Sequence, residues 1–438
     1  MWIYELILSR FYQYIKGDRR YVYYKKLRSN LGLSRNNILN EQNKAICSLV
    51  KHAYENTTYY KELFDNYQIN PDDIRTKEDL NRLPPLTKQN IKDNINDLKS
   101  NDRHGQSLRL VTSGGSTGEL GIIYRSKYFE EMSRASWLRN NAMIGWMPTD
   151  KTVWFWTSPT EHATFFKMMS IRLGQFINRR IYLNAFEYSA DDFPIWYKRI
   201  IKFKPKVVFG NPSLIIEFAH FLKTEKLDLP SVKIVVTTTE KLKGRNFIEE
   251  VFNCPVYDQY GCSEIIAIGI ELDKNEMVFT DDVVLVNANA DNQFLLTALY
   301  SYGFPLLNYK VGDVGELMAI DRNDKRYPFP KINLKIGRIT DKFLSENKTT
   351  ISTSSLGSYL ATLDLGIKEH QIIQSDYKVF KINYVILDNT NLENYFRNMT
   401  LGLEEYFGTN LTIVFNKVLS MPIEKSGKRL MFKRTFNL

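Results

Sequence analysis

The sequence predicts an α/β protein: a large N-terminal domain with mixed and largely parallel sheets, followed by a small mobile α+β domain. Three observations carry this. Short apolar runs such as "TVWFWTS", "PKVVFGNPS" and "VKIVVTTTEKL" end in small or polar residues and alternate with helical stretches such as "PSLIIEFAHFLKTEKL" and "RNFIEEVF". That alternation is the pattern of strands joined by crossover helices. After Asp281 the chain turns strand-rich in "DVVLVNAN", "QFLLTAL" and "VGELMAI", and the stretch beyond "KINLKIGRITDKF" is long enough for a domain of its own with short strands and two helices.

Taken in chain order, Trp2, Ile3, Leu6, Ile7, Phe11, Tyr14 and Ile15 recur at helical spacing among Arg10, Lys16, Arg19 and Arg20. Such a helix is able to rest on a membrane surface or pack on its own protein. Residues 40–64 read as one helix, with Ile46, Leu49, Val50, Ala53 and Tyr54 along one face. Pro71, Pro84 and Pro85 break the next stretch into loop and short turns. From Leu108 the strand and helix alternation begins. In α/β sheets, ligands sit beyond the carboxyl ends of the strands, so 154–158, 210–213 and 257–261 are the expected pocket segments.

Bulk composition narrows the function classes. The chain has 438 residues, 43% hydrophobic and 25% charged, ample for a large core. Its 59 Lys and Arg against 49 Asp and Glu give a net charge of +10, but the basic residues are spread out, which argues against a nucleic-acid partner. Cys47, Cys254 and Cys262 form no C-x-x-C pair, so neither a disulfide framework nor a zinc site is expected, and a cytoplasmic location fits. No apolar run is long enough to span a bilayer.

The stretch "LVTSGGSTGELG", residues 110–121, concentrates glycines and hydroxyls directly after a strand. It is not a Walker loop, because no lysine follows Gly118. Residues 114–118 match G-x-S-x-G, but a nucleophile elbow runs from strand into helix, whereas "GIIYRS" continues as a second strand. Its only downstream histidines are His162, His220 and His370, which leaves a serine hydrolase a distant alternative. Two readings stay open on these residues alone: an anion nest of backbone N–H groups and hydroxyls, or a glycine-rich turn with no ligand.

Four further stretches resolve the ambiguity. "TSGGSTGELG" resembles the phosphate loop of the adenylate-forming ligases, the superfamily of acyl-CoA synthetases. "YDQYGCSE" resembles that family's Y-G-x-[ST]-E motif, "YKVGDVGEL" its G-D motif, "IGRITD" its hinge, and "PIEKSGKRLMFKR" its S-G-K motif, all in family order. "LVKHAYENTTYYKELFDNY" and "DLNRLPPLTKQNI" look like the phenylacetate-CoA ligase branch, and within it the members from capsule and other surface-polysaccharide clusters.

The resemblance implies ATP and magnesium as cofactors, a small carboxylic acid as substrate, and an acceptor that is the thiol of coenzyme A or an amine such as an amino sugar. Thr112, Ser113, Gly114, Gly115, Ser116, Thr117 and Gly118 would hold the β- and γ-phosphates, and Glu264 would bind magnesium. Tyr260, Gly261 and Ser263, with Thr239 and Glu240, would lie about the adenine. Asp313 would accept the ribose hydroxyls, Arg338 would approach the ribose or phosphate, and Lys428 would bridge the substrate carboxylate and the α-phosphate. The hinge implied at 338–341 divides the chain into residues 1–337, binding ATP and substrate, and 338–438, carrying the lysine.

Two departures stand out. Asn308 replaces the arginine of the branch's P-L-I-R-Y, and Thr340 stands where its hinge has aspartate. They are the best support for a non-catalytic, nucleotide-binding descendant of the same fold.

Overall fold

The structure is a computed structural model. It describes residues 11, 14–15, 17–113, 121–156, 165–185, 187–240, 242, 244–274, 276–318, 326–336, 342–347, 349–353, 356, 360, 367, 369–386, 391–419 and 432–436.

The chain opens with helices α1 (Arg20–Ser29), α2 (Arg35–Asn56), α3 (Thr58–Asn66) and α4 (Lys88–Asp93). The single helix expected over 40–64 is two. Thr57 is extended, with φ −133° and ψ 139°. Its hydroxyl accepts the Tyr60 N–H at 3.2 Å and donates to the Ala53 carbonyl at 2.8 Å. One β-branched residue with a capping oxygen thus ends one helix and starts the next. Between α3 and α4, short 3-10 turns at Pro71–Asp73 and Asp79–Arg82 fill the stretch read as loop. Most of the proposed surface helix, residues 1–10 among them, lies outside the described residues; Phe11, Tyr14 and Ile15 are exposed. Among the described residues no helix is long and apolar enough to cross a membrane.

Strands β1 (Leu108–Ser113) and β2 (Gly121–Ser126) pair antiparallel as a separate two-stranded hairpin, and helix α5 (Lys127–Met143) follows at once. The glycine stretch therefore joins two strands. A nucleophile elbow is ruled out by that topology.

The main sheet has eleven strands. Its first half comprises β3 (Thr152–Trp156), β4 (Arg180–Asn184), β6 (Val207–Gly210), β7 (Ile234–Thr237) and β8 (Val256–Tyr260), in the order β8-β7-β6-β3-β4 and all parallel. Helices α6 (Phe165–Ile177), α7 (Asp192–Phe203), α8 (Pro212–Thr224) and α9 (Arg245–Phe252) connect them, with a two-residue strand β5 (Glu187–Tyr188) before α7. Val153, Phe155, Val208 and Val235 face the core that includes Trp196, Phe218 and Ile248. Their neighbours Val207, Phe209, Ile234 and Val236 face a second core with Trp146. Both faces are covered, which is why these strands read as unbroken apolar runs.

The second half is antiparallel: β9 (Gly269–Asp273), β10 (Glu276–Phe279), β11 (Val284–Ala288), β12 (Gln293–Ala298), β13 (Tyr309–Leu317) and β14 (Lys331–Ile336), ordered β11-β12-β13-β14-β10-β9. Strand β8 is the seam, parallel to β7 on one side and antiparallel to β9 on the other.

The tail builds β15 (Lys342–Leu344), β16 (Thr350–Ser352), β17 (Glu369–Asp376), β18 (Val379–Val385), α10 (Leu392–Phe407), β19 (Thr412–Lys417) and β20 (Phe432–Arg434). Strands β19-β18-β17-β20 form their own sheet over a core of Phe343, Ile372, Phe380, Ile382, Tyr395 and Leu403. The β15-β16 hairpin also reaches the preceding part of the chain, where Thr350 pairs with Tyr188 and Ile351 with Glu187. Residues 338–341, read as the hinge, lie outside the described residues.

Candidate active site

The seam strand β8 ends in "YGCSE", and the backbone there is tightly constrained. A Cβ on Gly261 would stand 2.2 Å from the Ile266 carbonyl oxygen, so only glycine fits without a shift. The next residues close a turn in which Cys262 N–H donates to the Ile265 carbonyl at 2.9 Å and Ile265 N–H to the Cys262 sulfur at 3.3 Å. That turn leaves Ser263 partly exposed and carries Glu264 fully into the interior.

Strand β13 supplies the partners. Tyr309, Val311 and Asp313 alternate onto one buried face. The Tyr309 hydroxyl donates to Glu264 Oε1 at 3.0 Å, and the Tyr260 hydroxyl donates to Asp313 Oδ2 at 2.9 Å. Asp313 sits where the pairing with β12 slips: Gln293 opposes Val314 while Leu295 opposes Lys310. Gly312, at φ +92°, turns the backbone inside this irregularity. A bulge of this kind re-aims a side chain, here toward Tyr260.

Of the residues singled out in the sequence, Tyr260, Gly261, Ser263, Glu264 and Asp313 are thus brought together. Thr112 and Ser113 end β1, whereas Gly114, Gly115, Ser116, Thr117, Gly118, Arg338 and Lys428 lie outside the described residues. Thr239 and Glu240 follow β7, Thr239 exposed and strained at φ +76°, its hydroxyl bonded to Asn211 Oδ1 at 2.8 Å. The neighbouring Thr238 hydroxyl donates to the Gln259 carbonyl at 3.1 Å, which ties this loop to the seam strand. Tyr309 was missed in the sequence, although the period of two in "YKVGD" puts it on the face of Asp313.

Asn308 has a structural task. It is buried in the left-handed region at φ +54°, a conformation asparagine tolerates. Its side-chain N–H donates to the Leu83 carbonyl at 2.9 Å, its backbone N–H to the Thr297 hydroxyl at 2.9 Å, and its carbonyl accepts Leu86 N–H at 3.1 Å. The residue fastens the proline-bearing loop to the start of β13.

Electrostatics at the seam are also set by burial. Burial pushes the Asp258 carboxyl up to about 7, against the Thr237 hydroxyl that donates to Asp258 Oδ1 at 2.7 Å. The first expected pocket segment carries aromatic surface that packs on Phe209, just before the second: Trp154 and Phe209 approach to 4.5 Å between ring centroids, and Trp156 stacks on Phe209 at 5.6 Å.

Residues 343–435 match the family described as the CapK C-terminal domain. The chain is 22% identical to Protein CapK of Staphylococcus aureus over 90% of its own length and 88% of that protein. The chain is thus similar to Protein CapK over most of its length, and it has the fold of an adenylate-forming ligase. The phenylacetate-coenzyme A ligase of Escherichia coli is 23% identical over 61% of this chain and 64% of its own. In structure, a 2-hydroxyisobutyryl-CoA ligase solved with 2-HIB-AMP and CoA superposes with a TM-score of 0.59 at 16% identity, covering 93% of this chain and 92% of that one. The tail, with its separate sheet, corresponds to the family match.

Proposed function

We propose that the protein activates a small carboxylic acid with ATP as the acyl-adenylate, releasing pyrophosphate, and passes the acyl group to coenzyme A. The observation that carries this reading is the joining of Tyr260 to Asp313, and of Glu264 to Tyr309, at the point where the sheet changes from parallel to antiparallel. Ligands of open α/β sheets bind beyond the carboxyl ends of the parallel strands, and Tyr260 closes one of them, β8. A buried carboxylate already accepting one hydroxyl proton is pre-set to accept those of a ribose.

The residues fit magnesium. Glu264 offers a hard carboxylate oxygen, and magnesium is bound through one or two carboxylates with phosphate oxygens and water completing the shell. Bound beside the nucleotide, the metal supplies positive charge against the phosphates. Asp313 holds the ribose, Tyr260 flanks the adenine, and the hydroxyls and N–H groups of 112–118 wrap the terminal phosphates. Lys428 supplies the ammonium needed while charge builds between carboxylate and α-phosphate, from a tail domain that starts near residue 338. The likeness to the branch supports these roles, as does the family match that begins at residue 343. The resemblance of its motifs to capsule-cluster members supports a role in surface-polysaccharide assembly.

The test is ATP-pyrophosphate exchange across a library of carboxylic acids, followed by acyl transfer with coenzyme A present or replaced by an amino sugar. Exchange with at least one acid, abolished in Asp313→Ala, is the expected outcome. Lys428→Ala should lower exchange by about 10²–10³, the scale for one lost electrostatic stabiliser, while Lys425→Ala changes little. No exchange with any acid would sink the reading.

A further inference from the structure

The β1-β2 hairpin holds an arginine that none of the roles above uses. Burial differs across its two faces, although Arg109 on the inner one stays exposed. Leu110 and Ile122 lie on the outer one and are 52% and 36% exposed. On the inner face Val111 pairs with Ile123, and Arg109 with Arg125. Ile123 packs in the core cluster that contains Tyr260, Cys262 and Ile265. Arg125, two residues on and on the same face, is only 5% exposed.

This guanidinium is badly provided for. Like charges directly opposed across two strands are unfavourable, and Arg109 is its cross-strand partner. The nearest acid on the following helix is spent elsewhere: Glu130 Oε1 accepts from Arg109 at 3.1 Å and from Arg134 at 2.6 Å. Among the described residues Arg125 Nε has no hydrogen-bond acceptor. Burial disfavours its charged form, while Cys262, Glu130 and Glu264 are the groups whose electrostatic influence favours it. A buried cation with an unmet donor costs stability, and a bound anion would complete it.

The chemistry of that missing partner follows from the group and its address. A guanidinium presents a planar fork of donors that matches the oxygens of a phosphate. Arg125 stands on the hairpin whose tip is the glycine-rich stretch, facing the segment that carries Glu264. We propose that Arg125 is a phosphate-binding residue of this site, taking the oxygens of the nucleotide's β- or γ-phosphate and of the pyrophosphate after it is released. The assignment rests on the nucleotide reading above and adds to it a residue outside every motif that suggested it.

The experiment measures binding of adenosine, ATP with magnesium, and inorganic pyrophosphate to the full chain by calorimetry, in wild type, Arg125→Gln and Arg125→Lys. Arg125→Gln should weaken pyrophosphate and ATP by roughly 10–100-fold, the scale of a lost charge-assisted contact, and leave adenosine affinity unchanged. Arg125→Lys, which keeps the charge without the fork, should recover part of the loss, and it serves if the glutamine variant does not fold. Pyrophosphate affinity equal to wild type in any folded Arg125 variant would overturn the assignment and leave Arg125 as a counter-charge to Glu264. An equal loss for adenosine and pyrophosphate would overturn it as well, because a structural defect does that. Wild type binding adenosine but not pyrophosphate defeats Arg125 alone; wild type binding neither defeats the nucleotide reading and this one together.

Discussion

The two halves of the main sheet are held by different physics. The parallel half is an apolar sandwich: its strands bury Val, Phe and Ile side chains on both faces against helices α7, α8 and α9 and against Trp146. The antiparallel half also buries apolar side chains, Val284, Val286, Phe294 and Leu296 among them, and adds ion pairs to the N-terminal helices. Asp281 and Asp282, just before β11, take Arg35 of α2 at 2.7 Å and Arg139 of α5 at 2.7 Å, the second pair almost wholly buried. Non-directional burial tolerates small changes of position, whereas bidentate ion pairs set register. The candidate site draws Tyr260, Gly261 and Glu264 from the seam strand and its turn, and Tyr309 and Asp313 from the ion-fastened half. A pocket built across two such halves gains a sharply placed acid beside an apolar wall.

The contrast can be broken most forcefully at Arg139. Arg139→Met leaves Asp282 buried without its partner and should destabilise the protein by about 3–5 kcal/mol, while Arg139→Met with Asp282→Leu recovers much of that loss. Denaturant unfolding of the two variants measures it; equal destabilisation would show that the pair is not what secures this half.

Next in size is the acid that the antiparallel half delivers. Asp313→Asn keeps the shape of the side chain and the Tyr260 contact but loses the charge. Adenosine affinity should fall by about 1.5–3 kcal/mol, read by calorimetry. Tyr260→Phe should cost less, because it removes one neutral donor from Asp313 and leaves the carboxylate in place.

At the seam, Gly261→Ala forces a methyl group against the Ile266 carbonyl, 2.2 Å away in ideal geometry. A cost of about 1–3 kcal/mol in stability follows, with a displaced Glu264. Gly210→Ala in the parallel half, where Phe155 Cβ stands 2.6 Å from the added atom, should cost a similar amount and leave magnesium dependence alone. Comparing the metal requirement of the two folded variants separates the halves; an unchanged requirement in Gly261→Ala would argue against Glu264 as the ligand.

The last comparison is a pH profile. Asp258 is raised to about 7 in the folded chain against an unfolded value near 3.8, chiefly by burial, with the Glu271 carboxylate also raising it and Arg245 lowering it. Between these values the folded state binds more protons than the unfolded one, so stability falls as pH rises. This contribution is complete below the unfolded value and gone above the folded one. Asp258→Asn should flatten the decline in thermal melts between about pH 4 and 7, and a profile parallel to wild type would show that Asp258 titrates normally.

How much of this was legible in the chain differs by residue. Glu264 and Asp313 were singled out only because their motifs resemble those of the family, whereas the constraints at Gly261 and Gly312 emerge from the fold. Asn308 was legible only as a departure. Its bonds to Leu83 and Thr297 join segments 225 and 11 residues away, and no local pattern encodes such pairings. The break at Thr57 escaped a periodicity reading because apolar residues continue in phase on both sides of the cap.

By itself, then, the sequence determined the α/β class and the passage from alternating strands and helices to a strand-rich stretch, since propensity and periodicity act over a few neighbouring residues, while the residues at the seam came from the resemblance of its motifs. Tertiary structure alone decided which hydroxyl meets which carboxylate, that Asn308 is a fastening rather than a charge, and that Arg125 is almost wholly buried. Those outcomes depend on burial and on contacts across many tens of residues. Burial turns a routine arginine into a cation in need of a partner only when the surrounding elements have closed over it.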